Sequence, residues 1–334
     1  MTDPGAGRVA SSRRRVLALA PLAWLLPPGV GLHAREAVPA PARPGPAIWP
    51  QRAVQILVGY PPGGVSDQIA RALADVMAGQ LGVPMVVENK AGASGTLALE
   101  LLSRRDPDGY SLCFVAATAI ALQARSAAGR AVEARPAVPV AGVMRTPILI
   151  VGTPSLGPGA TFGRMLAIAS ERPGGIRWAT TGEGTTGHVV LERVRRASGT
   201  EIIHIPYKGG GQQLTDALAG HFEVLSTNVA AAQLADIAAG RLTALAVGAP
   251  ERLRVLPGTP TLAELGFDDA NLDSLFGLFA PSGLAPALAA RINGAVAAAL
   301  STPGLQARLR RTNNTPFEGS ADDFARQVAR EARR

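Results

Sequence analysis

Two stretches of the chain carry residues suited to holding an anion without a charged side chain. The first is Gly59-Tyr-Pro-Pro-Gly-Gly-Val-Ser-Asp67, which links an apolar run to a helical pattern. Gly63 and Gly64 let the backbone approach a ligand closely, and the free N–H groups of the helix from Val65 onward attract negative charge. Ser66 or Asp67 is positioned to cap that helix. An ordinary strand-to-helix turn has the same composition, so this loop alone leaves both readings open. The second stretch is Thr180-Thr-Gly-Glu-Gly-Thr-Thr-Gly-His188. Gly184, Thr185, Thr186 and their N–H groups suit an oxyanion. Gly182, Gly184 and Gly187 also match a dinucleotide fingerprint, which requires an acid at the end of the next strand to hold a ribose. That strand ends Pro206-Tyr207-Lys208. A nicotinamide cofactor is therefore not expected, and no other cofactor is.

Other reactive residues lack the company that chemistry needs. His188, His204 and His221 show no metal-ligand spacing, and His33 lies near the N-terminus. His204, inside an apolar strand, is expected in the core. His188, at a helix start, either faces a ligand or caps the helix. There is no Gly-x-Ser-x-Gly elbow, and in Tyr207-Lys208-Gly209 the lysine precedes the glycines, unlike a phosphate loop. Cys113, the only cysteine, sits in the apolar run Tyr110–Val115 and reads as a buried, inert thiol.

The elements that must carry these loops alternate along the chain. Strands are expected at 53–59, 85–88, 110–115, 148–151, 176–180, 202–206, 222–226, 242–247 and 275–280. Helices are expected at 67–81, from the turn at 89–96 to Arg105, and at about 161–172, 187–198, 212–219 and 230–239, and three more follow near the C-terminus. Ile69, Leu73, Met77 and Leu81 form one buried helical face, and Ser320-x-x-Asp323 reads as a capping box opening the last helix. Such alternation implies largely parallel sheets with helices on both faces, and ligands then bind at the carboxyl ends of the strands.

Composition narrows the function classes. With 47% hydrophobic and 17% charged residues the chain is a folded one, long enough for two domains. The net charge of +8 comes from scattered arginines; Lys90 and Lys208 are the only lysines. No basic stripe with interleaved aromatics appears, so no nucleic-acid partner is expected. Residues 1–34 read as an export signal: Arg13-Arg14-Arg15, an apolar stretch to Leu26, and a small-residue end at Ala34. The arginines fit either a twin-arginine signal or an ordinary secretion leader. This leader holds four arginines against one aspartate, so its removal leaves +5. Residues 35–49 are Pro-rich and read as a flexible stem.

With these pieces in order, the chain resembles the tripartite tricarboxylate transporter receptors, also called Bug proteins. The matching stretches run from about Trp49 to Val328. They include Tyr60-Pro-Pro-Gly-Gly-Val-Ser-Asp67, Val87-Glu-Asn-Lys-Ala-Gly92, Gly182-Glu-Gly-Thr-Thr-Gly-His188, Ile205-Pro-Tyr-Lys-Gly209 and Pro257-Gly-Thr-Pro-Thr-Leu-Ala-Glu-Leu-Gly266. The resemblance implies an α/β, two-lobed periplasmic binding protein of type II, a Venus flytrap with two doubly wound sheets and a two-strand hinge. One lobe is expected from residues 50–145 plus 276–334 and the other from 146–275. The ligand implied is a small organic carboxylate, held in the cleft mainly by backbone N–H groups and water. The expected site comprises Gly63, Gly64, Val65, Ser66 and Asp67 from one lobe, Gly184, Thr185, Thr186 and His188 from the other, with Thr118, Tyr207 and Asn228. The implied partners are membrane subunits of a tripartite tricarboxylate transporter, and the implied location is the periplasm. A carboxylate sensor without a transporter would share these features. So would an enzyme on the same frame, but it needs an acid–base or nucleophilic constellation that the sequence lacks. The chain departs from the family pattern at Gly187, where serine is common, and at Thr227, where aspartate usually precedes Asn228. It also departs at Leu275, where tryptophan is common, and over the apolar segment 115–124.

Overall fold

A computed structural model describes residues 49–127 and 136–333; the expected export signal and most of the stem lie outside the described residues. The chain opens with β1 (Val54–Val58), α1 (Val65–Leu81), β2 (Met85–Asn89), α2 (Thr96–Ser103), β3 (Ser111–Ala116) and α3 (Ala117–Ala127). The long β4 (Ala137–Gly152) leads to α4 (Phe162–Glu171), β5 (Arg177–Thr180), α5 (Thr186–Ser198), β6 (Ile203–Pro206) and α6 (Gly210–Leu218). Next come β7 (Val224–Asn228), α7 (Ala231–Ala238), β8 (Thr243–Gly248) and the returning β9 (Asp273–Pro281). The chain closes with α8 (Pro286–Leu300), α9 (Pro303–Arg311), β10 (Thr315–Pro316) and α10 (Ala321–Arg333).

Apolar side chains collect on two sides of a crossing. One set of buried clusters draws on residues 49–144 and 275–328, the other on 148–272. Trp178 and Phe222 anchor the second set; Phe114, Phe276, Phe279 and Phe324 anchor the first. The expected helical face of α1 is present, with Ile69, Leu73 and Met77 fully buried. The capping box also forms, since Asp323 N–H donates to Ser320 Oγ at 3.1 Å and Ser320 N–H donates to Asp323 Oδ2 at 2.9 Å.

Pairing differs from the expectation of largely parallel sheets. The pairs β1–β2, β1–β3, β5–β6 and β5–β7 are parallel, whereas β4 and β9 run antiparallel to every strand they touch. The reason is the length of β4. Only its end, 148–151, reads as a strand in the sequence, because Pro139, Gly142 and Pro147 punctuate the rest. The structure accommodates Pro139 and Gly142 at bulges, where a missing donor or side chain is tolerated. Gly142 lies opposite Gly277 of β9, and the bare surface they share is filled by rings. A Cβ on Gly142 would stand 2.3 Å from Phe317 Cδ1, and one on Gly277 would stand 2.2 Å from Phe324 Cζ. The C-terminal segment thereby locks onto the crossing. Arg145 adds an ion pair to Asp273 at 2.6 Å and a hydrogen bond to Gln327.

Candidate functional site

A cavity of about 30 Å³ lies where β1, β3, β5 and β7 end, between the two sets of clusters. Tyr60, Ala116 and Thr118 line one side; Thr181, Thr185, Thr186, Gly187, Thr227 and Asn228 line the other. The crossing strands supply Ile148, Ser274 and Phe276. No charged side chain lines it. Its polar groups are hydroxyls, one amide and the first turns of two helices, α3 and α5. Helix starts present unpaired N–H donors and a favourable potential for negative charge.

Each half is built by local sequence. The run Ala116-Ala-Thr-Ala-Ile-Ala-Leu122 turns from strand to helix directly at the end of β3, and its alanines favour helix while letting α3 pack closely. Ala117 and Ala119 are buried beside Phe324 and Val328. On the other side Thr185 caps α5, accepting from His188 N–H at 3.4 Å while its hydroxyl donates to Gly182 O at 2.8 Å. Gly187 has no room for a side chain, since a Cβ would stand 2.7 Å from Ser226 Oγ. That hydroxyl donates to Gly187 O and accepts from Trp178 Nε1, both at 3.0 Å. The glycine at 187 is therefore matched to Ser226 in the strand below.

The structure brings together only part of the site expected from sequence. Thr118, Thr185, Thr186 and Asn228 line the cavity; Gly63, Gly64, Val65, Ser66, Asp67, Gly184, His188 and Tyr207 do not. Neither Ser66 nor Asp67 is the N-cap of α1. Gly64 is, with an extended backbone (φ −71°, ψ 168°) open to any residue and no side-chain cap. Asp67 instead ties the loop together: it accepts from Gly63 N–H at 2.9 Å, Arg71 Nε at 3.0 Å and Asn89 Nδ2 at 2.9 Å. Burial opposes ionisation there, but these donors outweigh it and hold the carboxyl below its ordinary range. Tyr207 donates to Asp216 at 2.7 Å and packs on Phe222, inside its own lobe. Burial, followed by that aspartate, raises its pKa to about 12.

His204 is not a core residue; β6 is an edge strand, and the ring is half-buried. It stacks on His188 with centroids 4.2 Å apart and lies 2.7 Å from Thr180 Oγ1. Burial and the neighbouring His188 lower its pKa to about 4. His188 Nδ1 accepts from Gly184 N–H at 3.0 Å, so this side chain braces the turn ahead of its helix. Cys113 is fully buried in β3, and burial pushes its thiol far up, as an inert residue requires.

Sequence reasoning missed Tyr60, Thr181, Ser274 and Phe276. Tyr60 accepts from Ala116 N–H at 3.1 Å and meets Phe276 edge-on at 5.7 Å. Burial pushes its phenol far up, so it stays a neutral donor. Ser274 donates to Asn228 Oδ1 at 2.8 Å, joining β9 to β7. The two sides also touch directly. Ser94 Oγ donates to Glu183 O at 2.6 Å, and Gly184 and Gly209 face Leu122 and Pro61 without room to spare.

The family model described as the tripartite tricarboxylate transporter family receptor matches residues 69–334. BugT of Bordetella pertussis is 30% identical over 289 residues, covering 86% of this chain and 88% of that protein. Among solved structures, MatC from Rhodopseudomonas palustris with bound malate aligns at 25% identity with a TM-score of 0.74, over 85% of this chain and 98% of MatC. A second R. palustris protein, solved with adipate, aligns at 29% identity with a TM-score of 0.76, over 85% of this chain and 95% of its own. Together with the crossing strands and the cavity between two cores, the match over most of the chain places this protein in the tripartite tricarboxylate transporter receptor family, with the fold of a two-lobed periplasmic binding protein.

Proposed function

We propose that this protein is an extracytoplasmic receptor that closes on a small organic carboxylate and presents it to the membrane subunits of a tripartite tricarboxylate-type transporter. Residues 50–145 with 276–334 form one jaw and 146–275 the other. The observation that carries this reading is the cavity itself: neutral hydroxyl donors and two helix starts, one from each jaw, with no charged side chain. A carboxylate accepts from N–H groups at the starts of α3 and α5 and from the hydroxyls of Thr118 and Thr186. Asn228 and Tyr60 orient its remainder, and Thr185, its hydroxyl given to Gly182 O, caps α5 beside them. The Gly63–Asp67 loop and Gly184, His188 and Tyr207 act behind these residues, fixing the turns that present them. Neutral donors suit a carrier, because a bound acid then leaves without breaking a buried ion pair.

The malate and adipate held by the two relatives support a ligand of this class. The cavity as it stands has room for one or two waters. A malate- or adipate-sized ligand therefore needs the jaws to part on entry and to settle slightly wider.

Calorimetric titration with mono-, di- and tricarboxylates tests the reading. At least one aliphatic carboxylate is expected to bind one to one with Kd near or below about 1 μM, about −8 kcal/mol. Binding of a sugar or an amine with no response to any carboxylate would refute it. Uptake of the bound acid by cells tests the transporter half: loss on deleting the gene is expected, and unchanged uptake leaves a sensor.

A further inference from the structure

We propose that Ser94 is a latch that holds the two jaws closed by engaging the turn that carries the Thr185–Gly187 side of the site. Its hydroxyl donates to Glu183 O at 2.6 Å, between residues 89 positions apart and rooted in different cores. The receiving turn is shaped for it. Gly182 has φ 132°, and a Cβ there would stand 2.6 Å from Ser94 Oγ. The carbonyl it meets is held firmly, because Gly184 N–H donates to His188 Nδ1 and Thr185 Oγ1 donates to Gly182 O on either side of it.

Ser94 itself occupies a costly conformation. It has φ 56° and ψ 29°, it follows Ala93 at φ 45°, and the pair is flanked by Gly92 and Gly95, also at positive φ. L residues are disfavoured in this left-handed region, and glycine would relieve the strain. The turn closes through its backbone and a neighbouring threonine: Gly95 N–H donates to Gly92 O at 2.9 Å and Thr96 Oγ1 donates to Ala93 O at 2.9 Å. The Ser94 side chain has no part in those bonds. Its hydroxyl is directed to the opposite jaw, and strain kept at such a position points to function. Pro61 against Gly209 and Leu122 against Gly184 supply apolar contact beside the latch, but Ser94 to Glu183 is the directional bond. The proposal rests on the jaws moving and not on which ligand they hold.

The test needs no ligand. Spin labels on cysteines introduced at the exposed positions Glu100 and Arg196 report the distance between the jaws, and the buried Cys113 does not compete for the label. Wild-type protein is expected to show a dominant short-distance population. In Ser94→Gly the closed-to-open ratio is expected to fall about three- to tenfold, the worth of one hydrogen bond. The same variant is expected to keep or raise its thermal midpoint, because the backbone strain is gone. Ser94→Ala, which keeps the strain and loses the hydroxyl, is expected to open equally. Unchanged distances in both variants would overturn the proposal, and so would a wild type that is already open. A lower midpoint in Ser94→Gly would also overturn it, by showing that the serine serves the fold of its own turn.

Discussion

His204 lies where the local sequence and the tertiary setting disagree. Ile203-His-Ile-Pro206 reads as buried strand, yet β6 is the sheet edge and its imidazole stacks on His188 over the turn beside the cavity. Burial, His188 and Arg195 lower its pKa while Glu183 and Glu192 pull the other way, leaving it near 4. Unfolded histidine titrates near 6.5, so between those values the unfolded chain binds a proton that the native one refuses. Stability is therefore complete above about pH 6.5 and is lost as pH falls toward about 4, levelling below. Discounted for the ring's contact with solvent, the loss is about 1–2 kcal/mol. Denaturant titrations at about pH 7.5 and about pH 4.5 check this: wild type is expected to lose that much more than His204→Gln. At this scale the Gly- and Thr-rich turn was legible, because its residues act through their own backbone. Tyr60, Thr181 and Ser274 were not. Each is a single polar residue in or beside a strand, and which face it takes depends on pairings far away in sequence.

Elements whose residues carry a clear period were readable; those defined by crossing were not. The buried face of α1 and the capping box of α10 follow from spacing alone. The helix α3 hides in a stretch of alanines without an apolar period, and it supplies one side of the site. The first half of β4 hides behind prolines and a glycine that only the bulged pairing with β9 excuses. The paired glycines there yield a sharp expectation. Gly142→Ala drives a methyl into the ring of Phe317, and overpacking of this kind costs about 1–3 kcal/mol. Chemical denaturation is expected to show that loss, and Gly142→Ala combined with Phe317→Leu is expected to lose less than the two single changes summed. Strict additivity would mean that the ring does not fill the space over the glycine.

At the scale of the molecule, the two cores meet along two strands and across a cleft, which Ser94, Leu122 and Pro61 bridge. Two bodies joined this way part to admit a ligand that touches both and close again around it. The family and the two-lobed plan could be read from motifs in order along the chain, but the partners across the cleft could not, since each contact joins residues on different cores. The most direct measurement is backbone amide chemical shifts during titration with the carboxylate that binds best by calorimetry. The largest changes are expected at the first turn of α3, around Thr118, and at Thr185–His188 of α5, following one binding curve. Changes confined to one lobe, or gathered instead around a second cavity lined by Arg145, Asp273, Gln327 and Arg330, would contradict a carboxylate held between the jaws.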